Sequence, residues 1–348
     1  MSQSEEEQNI PDRDTCQKLT EQFAEITGTD VACAQFYLQD RCWDLERSVN
    51  AFFEASQKGG VSVLNDCDAP GIVVNVDKKM AKKLEQSQPT IIPPSKFSII
   101  SWNLDGLEER NLKKRTKAVC KIITMQKPDV IFFQEVIPET FTYLEDRLPE
   151  YMCIAGNTEG YFSATLLRRF TIYFDGHEIV TYPGSLMMRN LLSVEAHIGS
   201  LKLKLLNTHL ESTAEHAAER VRQLKTGFKM VQEFPENYTV VYGGDLNMRD
   251  KEVELAGGIP PGMVDLWAAC GARQTCQYTW DMVRNSNKEI ASRFKPRCRF
   301  DRLYLRHAHP RRVVPAHFGL VGIEKVAGTQ SFPSDHWGIQ AFFDISDQ

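Results

Sequence analysis

Val240-Val241-Tyr242-Gly243-Gly244-Asp245-Leu246-Asn247-Met248-Arg249-Asp250 decides how the rest of the chain is read. A β-branched and aromatic run stops at two glycines, which predicts a buried strand opening into a tight turn. Directly after the turn stand an acid and an amide two residues apart, then a base. Polar side chains fixed at the end of a rigid strand are a common way to build a site. Alone, the same letters would describe a hairpin turn rich in Gly, Asp and Asn. Four further stretches repeat the design: Ile99-Ile100-Ser101-Trp102-Asn103, Val130-Ile131-Phe132-Phe133-Gln134-Glu135, Leu205-Leu206-Asn207-Thr208-His209 and Ser334-Asp335-His336-Trp337. The first three are apolar runs ending in residues able to bind a metal or a phosphate. The fourth is a turn ahead of a closing strand, Gly338 to Phe343. Five such ends predict strand termini converging on one cleft.

The 348 residues are enough for a large core plus a small module, and 42% hydrophobic with 25% charged is a typical soluble composition. No apolar run approaches the ~20 residues needed to cross a membrane, and no signal-peptide pattern is visible. The nine cysteines are scattered, odd in number and form no CxxC pair, which argues for reduced thiols in the cytosol or nucleus and against a zinc site. The net charge of −5 is uneven: residues 1–58 hold 12 acids and five bases, whereas residues 281–315 hold ten Lys and Arg against three acids. The bases from Arg284 to Arg312 are therefore expected to form a local positive field near a polyanion.

Residues 1–11 read as an acidic disordered tail. Three short helical patterns follow in residues 12–58, carried by Leu19, Phe23 and Ile26, then Val31, Ala34 and Leu38, then Leu45, Val49 and Phe52. Residues 59–95 are rich in Gly, Pro, Asp, Lys and Gln and read as a flexible linker. Within it, Ile72-Val73-Val74-Asn75-Val76-Asp77 is either ordinary linker or a strand for a partner's sheet edge. Lys78-Lys79 and Lys82-Lys83 offer a nuclear import signal or a solvated helix face. From Lys96 strands recur in pairs between helices, notably 111–126, 138–148 and 214–234, with a hairpin of Leu191–Ala196 and Leu201–Asn207. That pattern predicts an α/β fold with two packed sheets flanked by helices over 96–348, rather than one parallel sheet.

The ordered set Trp-Asn, Gln-Glu, Thr-His-Leu, Gly-Asp-Leu-Asn and Ser-Asp-His resembles the endonuclease/exonuclease/phosphatase superfamily of metal-dependent phosphodiesterases. Gly160-Tyr161-Phe162, Met187-Met188-Arg189-Asn190-Leu191-Leu192, Thr208-His209-Leu210-Glu211-Ser212-Thr213, His216-Ala217-Ala218-Glu219-Arg220, Gln277-Tyr278-Thr279-Trp280-Asp281 and Arg299-Phe300-Asp301-Arg302 narrow this. With them the chain resembles the superfamily's 5′-tyrosyl-DNA phosphodiesterases, which implies removal of trapped topoisomerase II remnants to leave a 5′-phosphate. The segment Glu254-Leu255-Ala256 departs from that pattern in offering no base before Gly257-Gly258. Phe23…Thr27-Gly28…Ala34…Leu38…Trp43-Asp44-Leu45-Glu46…Val49-Asn50…Phe52-Phe53 is similar to a ubiquitin-associated (UBA-like) domain. That implies a weak ubiquitin contact by the Thr27-Gly28 loop and the region of Phe53, or else a bundle that tethers something different.

The resemblance assigns roles. Glu135 would be the direct ligand of Mg²⁺, with Mn²⁺ able to substitute, because a hard cation takes oxygen donors. Asn103 would sit beside it. Asp245, fixed by neighbours such as Asn247, would deprotonate the attacking water. His336 would donate to a phosphoryl oxygen, oriented by Asp301. Asp335 would hold a metal-bound water or stabilise its turn. Tyr161, His209, Ser212 and Arg249 would contact phosphate, phosphotyrosine or DNA, and Trp280 would stack on a base. The expected molecule is a monomer acting on 5′-tyrosyl DNA in the nucleus, with the cytoplasm as a second compartment. The same anchors also suit an abasic-site endonuclease or a small-molecule or lipid phosphatase. A ubiquitin-binding adaptor with a dead catalytic fold is the rival from another class, and intact Glu135, Asp245 and His336 speak against it.

Overall fold

The protein is described here by a computed structural model covering residues 11–27, 34–35, 37–38, 43–45, 47–49, 94–289 and 295–346. The tail, the linker with its 72–77 run and lysine pairs, and most of the second and third UBA-like helices lie outside the described residues. The chain divides into two compact units, the larger built on Pro94–Gln348. In the smaller, helix α1 (Arg13–Thr27) starts where the Asp12 carboxylate accepts the Thr15 N–H at 3.0 Å, an N-cap that satisfies one orphan donor. Its Phe23 is buried and stacks on Tyr37 at 5.7 Å.

The larger unit is a sandwich of two six-stranded sheets. One sheet has the order β13 (Val313–Val321), β14 (Gly338–Ile345), β1 (Lys96–Asn103), β2 (Val130–Val136), β4 (Phe162–Arg168), β3 (Tyr151–Ala155). The other runs β5 (Tyr173–Thr181), β6 (Asn190–Ile198), β7 (Leu201–His209), β8 (Tyr238–Asp245), β12 (Asp301–Arg306), β9 (Met263–Asp265). Phe97, Ile99, Val130 and Phe132 from the first meet Leu203, Leu205, Val241 and Leu303 from the second in a shared apolar core. The outer faces are covered separately: α2 (Leu112–Gln126) and α3 (Pro138–Arg147) lay Val119, Ile123 and Leu144 on the first sheet. Helix α4 (Ala217–Glu233) lays Leu224, Phe228 and Val231 on the second, at helical spacing.

Topology brings the five strand ends together. Each sheet has one parallel pair at its centre, β1 with β2 and β7 with β8. Asn103 pairs with Gln134, and His209 with Asp245, so these polar ends lie level. The antiparallel neighbours β12 and β14 begin at that same end, with Asp301 opposite Asp245 and Ser101 opposite Ile339. A buried amide pair fastens the two sheets there: Gln134 Nε2 donates to Asn207 Oδ1 at 2.8 Å, and Asn207 Nδ2 donates to the carbonyls of Phe133 and Ala164. Buried amides of this kind are stabilising only when paired, and they fix register. Gly244 is required by geometry: at φ 135° a Cβ would fall 1.9 Å from the Thr208 carbonyl oxygen.

Strand β5 runs Tyr173–Thr181. It is an exposed edge with a bulge between Phe174 and Gly176, so its apolar alternation is weak.

Candidate active site

Glu135 owes its direction to a flaw in β2. The register with β4 shifts between Phe133 and Val136, and Glu135 adopts a left-handed φ of 52°. A bulge with a non-glycine residue in that region costs free energy and is tolerated where it re-aims a side chain. Gln134 consequently points into the core, while the Glu135 carboxylate turns to the cleft. Asn103, at the end of β1, donates from Nδ2 to Glu135 Oε1 at 3.1 Å and to Asp245 Oδ2 at 2.9 Å. Its oxygen accepts the Asp105 N–H at 2.8 Å. Asn103 therefore sits beside Glu135 as a donor bridging two carboxylates. Asp245 is buried at the end of β8, and its Oδ1 accepts the Asn247 backbone N–H at 3.0 Å. Asn247 thus fixes Asp245 through its main chain; its side chain goes elsewhere.

His336 and Asp301 form the pair that the sequence predicted. The His336 Nδ1–H donates to Asp301 Oδ2 at 2.8 Å, and Nε2 lies 3.7 Å from Asp245 Oδ2, too far to be spent on it. Three local devices hold the pair. Ser334 Oγ donates to the Asn103 carbonyl at 2.6 Å and accepts the His336 N–H, which explains a serine at the head of the Ser-Asp-His turn. The Trp102 indole N–H donates to the His336 carbonyl at 3.0 Å. Thr279 Oγ1 accepts the N–H groups of Phe300 and Asp301. Trp280 heads a two-stranded ribbon, β10 (Trp280–Asp281) with β11 (Arg297–Cys298), half-buried against Phe300 at 5.6 Å. Its indole N–H donates to Asp335 Oδ2 at 3.2 Å, so it holds the acid beside His336 as well as lining the cleft.

His209 is buried, with a neighbour at each ring nitrogen. Arg189 Nη1 donates to its Nδ1 at 2.9 Å, and the Asn247 side-chain amide lies 3.0 Å from Nε2. The same guanidinium donates to Ser212 Oγ at 3.1 Å and lies over the Tyr161 ring at 4.9 Å. Burial, then Arg189 and His336, depress the His209 pKa well below the usual histidine range, so the ring is neutral. Arg249 is exposed, its guanidinium 5.8 Å from the Phe300 ring; its backbone N–H donates to Glu252 at the start of α5 (Asp250–Leu255).

Electrostatics separates the carboxylates. Burial raises Asp245 to about 7, with Asp301 and Glu135 adding to the rise and His336 opposing it. For His336, burial lowers the pKa but Asp301, Asp245 and Asp335 outweigh it and lift the ring well above the histidine range. Asp105 is raised by burial and by Asp335 and Glu135, against Lys288 at 3.0 Å and Arg115 at 3.7 Å. Among the described residues, the one basic side chain within 4.0 Å of Glu135 is the neutral His209 at 3.9 Å. Asp245, Asp301 and His336 place donor atoms within 4.8 Å of one another and offer a second arrangement for a cation. A protonated His336 already bonded to Asp301 is a poor ligand, because ligation needs a free lone pair. Glu135, with Asp105 Oδ2 buried without a hydrogen bond and faced by Arg115 at 3.7 Å, fits a hard divalent ion better.

Comparison with known proteins agrees with this geometry. Residues 100–336 match the endonuclease/exonuclease/phosphatase family, and residues 15–59 match a UBA-like domain. The human tyrosyl-DNA phosphodiesterase 2 is 38% identical, over 98% of this chain and 96% of that protein. This chain belongs to the endonuclease/exonuclease/phosphatase family, in its tyrosyl-DNA phosphodiesterase 2 branch. A crystal structure of D. rerio TDP2 complexed with single strand DNA product superposes with a TM-score of 0.70 at 41% identity, covering 72% of this chain and all of that one. TDP2 from C. elegans, at 31% identity, superposes with a TM-score of 0.67 over 99% of this chain and 98% of that one. A mannosyl-6-phosphatase from Bacteroides thetaiotaomicron, 12% identical with a TM-score of 0.55, shares the fold.

The family's strand-end motifs are together in one place, but part of the predicted basic field is spent. Arg297 pairs with Asp281, Arg299 with Asp265 and Asp250, and Arg302 with Asp250. Arg306 donates to the carbonyls of Phe234, Pro235 and Tyr238. Those charges hold the scaffold, leaving less field for a polyanion than their count suggests. Arg189, Asp105 and Lys288 were absent from the sequence-based site. For Asp105 a signal existed, since Asn103-Leu104-Asp105-Gly106 places a second acid two residues past a strand end.

Proposed function

We propose that the chain hydrolyses the 5′-phosphotyrosyl bond that joins DNA to a trapped topoisomerase II, releasing tyrosine or peptide and leaving a 5′-phosphate. Mg²⁺ is the cation in this reading, with Mn²⁺ able to substitute. The observation that carries it is the meeting of Glu135, Asp245 and the Asp301-linked His336 at one end of the two-sheet sandwich, in a chain 38% identical to human tyrosyl-DNA phosphodiesterase 2. A phenol has a pKa of ~10, so tyrosine leaves phosphorus far more readily than a sugar alcohol, and the site needs little help from a general acid.

The bound cation supplies Lewis-acid stabilisation of charge on the phosphoryl group. Asp245 takes the proton of the attacking water at Oδ2, where Asn103 and the Asn247 N–H hold the carboxylate in place. A carboxyl raised to about 7 suits a base working near neutrality. His336 keeps its proton, and its Nε2–H is the donor for a non-bridging oxygen as charge develops. Trp280 and Phe300 offer aromatic surface to a nucleobase. The UBA-like module would recruit the enzyme through a weak ubiquitin contact, the chain acting as a monomer in the nucleus. Parallel assays on 5′-tyrosyl, 3′-tyrosyl and abasic DNA, with and without Mg²⁺, test the reading. Turnover of the 5′-tyrosyl substrate alone, abolished by EDTA, is expected; preferential cleavage at the abasic site would overturn it.

A further inference from the structure

Glu211 lies two residues past β7, is fully buried, and takes no part in the chemistry above. Its carboxylate has no Lys or Arg partner within 4.0 Å among the described residues; Arg220 bonds only the Glu211 carbonyl. A buried charge without a counter-ion is costly unless hydrogen bonds satisfy it. Four groups do so. Leu186 N–H and Met187 N–H donate to Oε1 at 2.6 and 3.0 Å, Ser185 Oγ donates to Oε2 at 2.9 Å, and Gln223 Nε2 donates to Oε2 at 3.1 Å. Gln223 also accepts the Glu211 N–H at 3.0 Å, which locks the carboxylate to helix α4. Three of the four donors belong to one strap, residues 185–187, crossing from the β5 side towards β6.

That strap carries Arg189. Ser185 Oγ, held by Glu211, accepts the Arg189 N–H at 2.8 Å. From there the guanidinium reaches His209 Nδ1, Ser212 and the Tyr161 ring. A guanidinium can only donate, so His209 Nδ1 must accept. The neutral ring then has its hydrogen on Nε2, with Asp245 Oδ2 at 3.4 Å and Glu135 Oε1 at 3.9 Å as acceptors, and the Asn247 side-chain amide 3.0 Å away must turn its oxygen rather than its N–H₂ to the ring.

We propose that Glu211 is a positioning residue for the reaction: it organises the 185–187 strap so that Arg189 fixes His209 in the Nε2–H tautomer beside Asp245 and Glu135. The chain of contacts is Glu211 to Ser185, Ser185 to Arg189, Arg189 to His209. Each link is a hydrogen bond to a buried or half-buried group, so loosening the first propagates to the last. A glutamine at 211 would keep one oxygen for the strap but would set an amide N–H₂ against Ser185 Oγ and Gln223 Nε2. Outer residues that orient those around a reacting centre typically cost about 10–100-fold when replaced.

The test uses the full chain with ¹⁵N-labelled histidine, comparing wild type, Glu211→Gln and Ser185→Ala. The wild type should show the His209 imidazole as a single Nε2–H tautomer, and Glu211→Gln should shift it to a mixture. In parallel, kcat/KM on a 5′-tyrosyl oligonucleotide should fall about 10–100-fold in Glu211→Gln. Ser185→Ala, which removes only the middle link, should show the same tautomer change and a smaller kinetic loss. If Glu211→Gln does not fold, Ser185→Ala decides. An unchanged His209 signature with kcat/KM within about twofold of wild type, in whichever variant folds, overturns the proposal. The kinetic arm rests on the proposed reaction, whereas the tautomer arm does not. A wild type inactive on 5′-tyrosyl DNA would therefore sink that reading and leave this one standing on the spectrum.

Discussion

The two sides of the cleft are built on opposite principles. On one side Asp301 and His336 are bonded to each other, and His336 faces Asp245, whose carboxylate is itself held by Asn103 and Asn247. On the other, Glu135 sits on a strained bulge with a single neutral imidazole as its nearest basic neighbour among the described residues. The linked hydrogen bonds on the first side give a pre-set proton network that needs no rearrangement when charge develops. Incomplete pairing on the second gives a carboxylate whose natural partner is an added cation. In the proposed reaction the proton network and the cation would thus fall to different strand ends.

Breaking the Glu135 side should have the largest effect. Glu135→Gln is expected to reduce turnover of 5′-tyrosyl DNA by about 10⁴-fold or more, since a bound cation contributes several kcal/mol to charge stabilisation. Circular dichroism and melting should stay near wild type, and full activity in the folded variant would refute the division. Asp245→Asn, nearly isosteric, attacks the paired side and should slow single-turnover hydrolysis by ~10²–10⁴-fold, the usual range for a general base. Wild-type single-turnover rates would remove Asp245 from the mechanism.

Trp280 sharpens the contrast because it belongs to both DNA contact and the acid network. Trp280→Ala should weaken DNA binding by ~1–3 kcal/mol if a base stacks on the indole. Trp280→Phe keeps a ring but loses the N–H to Asp335, so it should restore most of the binding. Equal losses in the two variants would assign the residue to holding Asp335 alone.

The smallest effect is on stability. With Asp245 raised to about 7 by burial, the folded, metal-free protein binds more protons than the unfolded chain between about pH 4 and pH 7. The Asp245 contribution to stability then falls as pH rises through that window and the raised His336 continues the trend above it, while the depressed His209 acts in the opposite sense. Asp245→Asn should flatten the slope, with melting temperature near pH 7 up by about 2–6 °C. The same slope in metal-free wild type and Asp245→Asn would contradict the burial argument.

How far the sequence carried depends on which side of the cleft is considered. Strand ends were legible because apolar runs closed by Asn, Glu, His or Asp stand out against solvent-facing strands. The Asp301–His336 pair was legible through the resemblance. Strand β12 was not read from periodicity, since Arg302 and Arg306 look like surface residues while both are buried and held by carbonyls or Asp250. The role of Arg189 was hidden for a related reason: what it touches is decided by the 185–187 strap, and local spacing does not reveal a contact made through Glu211, twenty-two residues away in sequence from Arg189. Likewise the basic count in 281–315 said nothing of the acids at 250 and 265, outside that stretch, that pair with Arg299 and Arg302.

The division of labour is tested most directly by counting Mn²⁺ ions, by electron paramagnetic resonance, on metal-free wild type, Glu135→Gln and Asp301→Asn. If Glu135 carries the cation, Glu135→Gln should lose high-affinity Mn²⁺ while Asp301→Asn retains it within about threefold of wild-type affinity. Retention by Glu135→Gln together with loss in Asp301→Asn would place the ion at the Asp245–Asp301–His336 trio and contradict the account.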